Sequence, residues 1–154
     1  MTSLNTALSQ GSAPTRSSRS VTARRAATVA RCLLGTVFFV FGLNGFLNFI
    51  PPPPAGSMPE GATAFGAALM HTGYLFQLLK GTEVLAGAVL LANRFVPLAL
   101  AVLAPIVINI FAFHAFLAPS GVVIAALVVA LELYLAWAYR AAFKPMLESR
   151  ASAT

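Results

Sequence analysis

The sequence predicts an all-α, polytopic membrane protein: an antiparallel bundle of four transmembrane helices behind a disordered N-terminal tail. Three observations carry that expectation. Of 154 residues, 58% are hydrophobic and only 9% charged, against about 25% charged in a soluble domain. Mean hydropathy is +0.83. Four apolar segments, at about residues 29–50, 72–92, 95–117 and 121–139, each have the roughly 20 residues that cross a hydrocarbon core of about 30 Å as a helix. Helix is forced, because backbone groups in lipid must be paired within the segment and four segments cannot close a barrel. A chain of this length makes one such domain, residues 29–143.

Residues 1–28 are rich in Ser, Thr, Ala and Arg, contain no acid, and lack the apolar side chains to build a core, so disorder is expected. The adjacent Arg24 and Arg25 before an apolar run have the form of a twin-arginine export signal. Ala26 and Ala27 follow them, however, and the apolar run is too long for a signal core, so the segment reads as a retained first helix. The long connection between the first two helices opens with Pro51 to Pro54. These end the first helix sharply and give the chain a stiff exit, a polyproline recognition site being the other reading. The links "NR" and "APS" are tight and make sequential helices antiparallel neighbours. Residues 144–154 form a C-terminal tail. The single cysteine, Cys32, excludes an internal disulfide and a two-cysteine relay, and reads as a small packing residue.

Basic residues set the orientation. Arg16, Arg19, Arg24, Arg25 and Arg31 precede or open the first helix, Arg94 lies between the second and third, and Arg140, Lys144 and Arg150 follow the fourth; the other two connections carry no Lys or Arg. Both termini are therefore expected in the cytoplasm. The net charge of +6 serves topology and anionic headgroups. It is not a nucleic-acid footprint, since the arginines are scattered along a tail without interleaved aromatics.

The second helix, "LFQLLKGTEVLAGAVLL", sets Lys80 and Glu83 into an otherwise apolar run. Counted inward from Thr72 they lie roughly 12 and 16 Å deep. Each costs about 2.5–3.5 kcal/mol on insertion scales, while each large apolar residue returns about 0.3–0.6. This helix is a marginal inserter alone, and its polar stripe is expected to face the bundle interior. Other polar residues fall at similar levels: Asn44 and Asn48 on the first helix, Gln77 on the second, Asn109 and His114 on the third, Glu132 on the fourth. Together they suggest a shallow cavity opening outward. Each also has a structural reading: an intrahelical pair for Lys80 and Glu83 at i, i+3, interhelical hydrogen bonding for the asparagines, solvation at the interface for His114, and an inner water-filled vestibule for Glu132. The glycines Gly35, Gly42, Gly45, Gly81 and Gly87 read as packing contacts.

The stretch "RCLLGTVFFVFGLNGFLNF" opened by Arg31, and then "GYLFQLLKGTEVLAGAVLLANRFVPLALAVLAPIVINIFAFH", resembles the DoxX-like family of small four-helix bacterial membrane proteins, over about residues 31–139. Glu83 in "GTEVLAGAVLL" is the most specific part of the resemblance. The family pattern usually has a lysine where this chain has Asn44, and Lys80 offers a charge from another helix. The resemblance implies a bacterial inner-membrane protein linked to quinone or thiosulfate oxidation and to oxidative-stress complexes. The acid-free tail also fits an organellar transit peptide, which would place the chain in an organellar membrane.

Two function classes follow. The first is a quinone- or small-molecule-binding subunit of a membrane redox system, an oxidoreductase only together with a partner redox protein. There Glu83 relays a proton, and Lys80, Gln77, Asn44, Asn48, Asn109, His114 and Glu132 are candidates to hold the ligand. The second is a non-enzymatic carrier or assembly scaffold. Homo-oligomers are compatible with either. No haem-ligand His pair, metal cluster or thiol relay is readable in the chain, and no cofactor is identified from the residues; a quinone is what the resemblance implies. The topology is directly testable: cysteines at Ser57 and Ser120 should label from outside, and at Ser18 and Ser149 from inside. Outside labelling at Ser149 with inside labelling at Ser18 would mean an odd number of crossings and contradict four helices.

Overall fold

The computed structural model describes residues 16–54 and 56–147. Their regular secondary structure is all helical, with no strand among the described residues. The elements are α1 (Arg16–Leu47), α2 (Glu60–His71), α3 (Leu75–Leu91), α4 (Val96–Phe116), α5 (Val122–Ala138) and α6 (Arg140–Phe143), with 3₁₀ turns at Pro119–Gly121 and Lys144–Leu147. Among the described residues three helices are long and apolar enough to cross a membrane, or four if α2 and α3, bent by 93°, count as one span. Large apolar side chains such as Leu85, Ile108, Phe116, Val123 and Ile124 stand more than two-thirds exposed. On a water-facing surface so many would be a liability. Helices of this length and apolar surface suggest a membrane protein.

Helix α1 starts thirteen residues earlier than hydropathy predicts, so residues 16–28 are helical and not disordered. The cause is composition: Ala23, Arg24, Arg25, Ala26 and Ala27 are strong helix formers, and a helix already nucleated in the apolar segment propagates into them at little cost. The rest of the expected disordered tail, residues 1–15, lies outside the described residues. At its other end α1 stops at Leu47, short of the expected residue 50. Asn48 turns left-handed (φ 50°), its N–H donates to Asn44 O at 2.9 Å, and the Asn44 side-chain oxygen accepts from Ile50 N at 2.7 Å. Asparagine tolerates this conformation and often ends helices in it. Pro51 keeps Ile50 out of the helical region.

The connection read as a loop contains α2. Pro59 precedes it, Glu60 sits in its first turn and alanines fill its body, a start that suits helix geometry. Between α2 and α3 the chain turns 93° through Gly73, whose φ of +77° favours glycine. Thr72 fastens the corner: its hydroxyl donates to Leu69 O at 2.8 Å and accepts from Leu75 N at 3.0 Å. Thr72 is thus a hinge residue, and α3 begins three residues later than the expected 72.

The most extensive interface is α1 on α3, and the two run in opposite directions. Gly35 of α1 meets Leu90 and Leu91 of α3, Gly42 meets Glu83 and Val84, and Gly45 meets Lys80. The backbones almost touch. A Cβ on Gly87 would lie 2.5 Å from Phe39 N and 2.8 Å from Gly35 O; one on Gly42 would lie 2.8 Å from Val84 N. Small residues permit this approach in lipid, where helix association rests on packing. At the arginine-rich end, Arg31 is buried and donates to the Leu90 and Leu91 carbonyls. Those carbonyls end α3 and carry the negative end of its dipole, and Leu90 O also accepts from Asn93 N at 3.0 Å. The sequence places Arg31 among the topology charges; the structure makes it also an interhelical cap. Behind this seam Leu34, Phe38, Leu90, Leu100, Leu103 and Leu135 form the innermost core.

The seam generates a contrast. Gly87→Ala must push backbone against backbone and should lose about 1–3 kcal/mol. Gly81→Ala meets nothing within 4 Å and should gain up to about 1 kcal/mol from helix propensity. Thermal melts of the detergent-solubilised chain check both, and equal melting of the two variants contradicts the seam.

Candidate functional site

All five long helices wall one cavity of about 380 Å³. Five phenylalanines line it, Phe38 and Phe41 from α1, Phe65 from α2, Phe76 from α3 and Phe113 from α4; its polar side chains are Lys80, Glu83, Asn109 and His114. Size and make-up match an ordinary small-molecule site: apolar walls with a few convergent polar groups.

Lys80 and Glu83 supply its charged corner. Lys80 Nζ donates to Glu83 Oε2 at 2.8 Å, with the lysine side chain 20% exposed and the glutamate 4%. Glycines on α1 create the room. A Cβ on Gly45 would lie 2.5 Å from Lys80 Cγ, and one on Gly42 would lie 3.0 Å from Glu83 Cβ. The lysine stem therefore lies across α1 at Gly45, and its ammonium stands 6.0 Å from the Phe76 ring centroid, at the outer reach of a cation–π contact.

His114 is held at the end of α4. Its Nδ1 is 3.1 Å from Ala118 O. A carbonyl only accepts, so the proton facing it is assigned to Nδ1, and in the neutral ring Nε2 keeps a lone pair. Gly121 packs directly on the ring edge bearing Nδ1. The ring stands edge-on to Phe113 (centroids 5.2 Å, 84°), and Phe113 in turn meets Phe65 at 5.5 Å. Phe65 thereby brings α2 over the cavity, joined by Gly66 and Leu69. This cover was missed in the sequence because residues 51–71 read as a connection; the Ala-rich run after Pro59 was the available signal.

The remaining candidates lie elsewhere. Gln77 is exposed and does not line the cavity. At about 100° per residue, a step of three falls about 60° short of a full turn, so Gln77 stands about 120° around α3 from Glu83. Asn44 and Asn48 build the C-terminal end of α1, where the Asn44 side chain bonds Ile50 N within its own terminus and not another helix. Glu132 faces the core with Ala125, Val128 and Leu135. It is 6% exposed, and its Oε2 has no hydrogen-bond partner among the described residues. It does not line this cavity, nor the basin beside Tyr139 and Arg140 where a vestibule was expected. An unmatched buried polar group costs about 1–3 kcal/mol. Glu132 is thus a strained feature of the core outside the cavity.

Compared with protein-family models, curated proteins and solved structures, the chain matches none.

Proposed function

We propose that this protein is a four-span inner-membrane subunit that binds the head group of a quinone-like ring. The cavity carries the reading: five aromatic rings around a Lys80–Glu83 pair, with Asn109 and His114 on the adjoining helix. Phenyl walls suit a flat ring, the Lys80 ammonium and Asn109 amide suit carbonyl oxygens, and the His114 Nε2 lone pair suits a hydroxyl donor. A bound quinone supplies two-electron chemistry in concert with a partner redox protein. This chain's residues bind the ring, exclude water through α2, and hold a proton at the Glu83 carboxylate. The DoxX-like resemblance around Glu83 points the same way.

In this reading α1, α3, α4 and α5 cross the bilayer as an antiparallel bundle with both termini cytoplasmic. Helix α3 has 17 residues, about 25 Å, and is short for a core of about 30 Å. Helix α2, turned 93° from it, then lies along the outer interface as a cover. The basic residues of α1, Arg94 and Arg140 mark the cytoplasmic side.

The test uses the full chain in nanodiscs and a short-tailed benzoquinol, the reduced ring whose hydroxyl can donate to the His114 Nε2 lone pair. Uptake should saturate above that of empty nanodiscs, and His114→Leu should weaken it about tenfold, the worth of one hydrogen bond of about 1.4 kcal/mol. Uptake no greater than that of empty nanodiscs contradicts the proposal.

A further inference from the structure

A second recess lies at the opposite end of the molecule, between α1 and the end of α5, with a volume of about 490 Å³. Its charged side chains are Arg24 and Arg140, and none of the described carboxylates lines it. Glu60 lies in α2, while Glu83 and Glu132 are buried. Neither guanidinium has a carboxylate partner among the described residues, where Lys80 and Glu83 form the one ion pair. Arg140 is held in place. It donates to Trp137 O at 3.0 Å, and its guanidinium stands 4.8 Å over the Trp137 ring. That uses one of five donors and leaves the fork available. Trp137 and Tyr139 belong to the aromatic class that settles at headgroup level, and Asn93 adds an amide. Leu33 and Leu133 stand exposed on the two helices that wall the recess, as acyl chains beside it would require.

We propose that this basin binds a negatively charged phosphate group, clamped between Arg24 and Arg140, of the kind carried by an anionic phospholipid headgroup or by a free phosphate. Two guanidiniums lining one recess, with no acid between them among the described residues, match the charge of a phosphate, and each can offer it a bidentate fork. A choline headgroup, zwitterionic and cationic at its tip, fits less well. The site is separate from the Lys80–Glu83 cavity and does not depend on its ligand.

The full chain in neutral detergent is titrated with phosphatidylglycerol, phosphatidylcholine or inorganic phosphate, and bound ligand is read by native mass spectrometry. Phosphatidylglycerol should bind at least about tenfold more tightly than phosphatidylcholine. Arg24→Gln and Arg140→Gln should each lower that affinity about tenfold, whereas Arg94→Gln, exposed at the same end but outside the recess, should not. Binding of inorganic phosphate with the same loss in Arg24→Gln assigns the site to a free phosphate; binding of phosphatidylglycerol alone assigns it to lipid. Arg24 is exposed on α1, so Arg24→Gln keeps the fold and decides the matter even if Arg140→Gln does not. Affinity unchanged in Arg24→Gln, or lost equally in Arg94→Gln, overturns the proposal.

Discussion

A charge inside an apolar helix must be met by something, and the arrangement of this molecule follows from how each one is met. Lys80 and Glu83 answer each other across one helical turn at 2.8 Å. Their pairing requires α3 to present its polar face to α1, and the glycines at 42 and 45 clear the ground for it. The same face continues to Gly87, packed on the α1 backbone, and to the carbonyls of Leu90 and Leu91, which accept from Arg31. One helix interface thus accommodates three ionisable groups by two different devices: an ion pair at one end and a helix cap at the other. Neither relies on bulk water, since Glu83 and Arg31 are both buried.

The cavity is a consequence of that arrangement. Because α1 and α3 approach through glycine, the larger side chains on their flanks, Phe38, Phe41 and Phe76, are left to face α4 and α5. A left-handed Gly73 and the hydroxyl of Thr72 then swing α2 across the opening, where Phe65 meets Phe113. The polar groups in the cavity wall come from α3 and α4 alone. Glu132 stands apart: its Oε2 is buried without a partner among the described residues, and intramembrane acids retained at such a cost are commonly functional.

Much of this was legible in the sequence where a single physical signal dominates. The runs expected at 95–117 and 121–139 differ by one residue at each end from Val96–Phe116 and Val122–Ala138, because apolar length and short polar links leave little choice. The Lys80–Glu83 pair was readable from spacing, and the structure brings Lys80, Glu83, Asn109 and His114 to one cavity. Three features were not readable, for different reasons. Hydropathy detects lipid-soluble segments and not helix as such, so it missed residues 16–28 and α2, whose alanines are helical without being greasy enough to span. Linear position cannot show what a long side chain reaches, so the sequence shows Arg31 only as one of the basic residues that set topology. Depth is one coordinate and angle another: Gln77 lies at a suitable depth but on the wrong side of α3, while Asn44 and Asn48 are consumed in ending their own helix.

The central claim is that Lys80 and Glu83 hold each other in a site that neither could occupy alone, and a double-mutant cycle on detergent stability tests it most directly. Glu83 is the more deeply buried partner, and the lysine stem can carry its charge toward the interface. Lys80→Met should therefore cost the most, up to about 3–5 kcal/mol, and Glu83→Gln less. Combining the two should recover most of the loss, because the double variant strands no charge. Single losses that simply add in the double variant, or a Glu83→Gln protein and a Lys80→Met protein that both melt like the parent, would contradict the account.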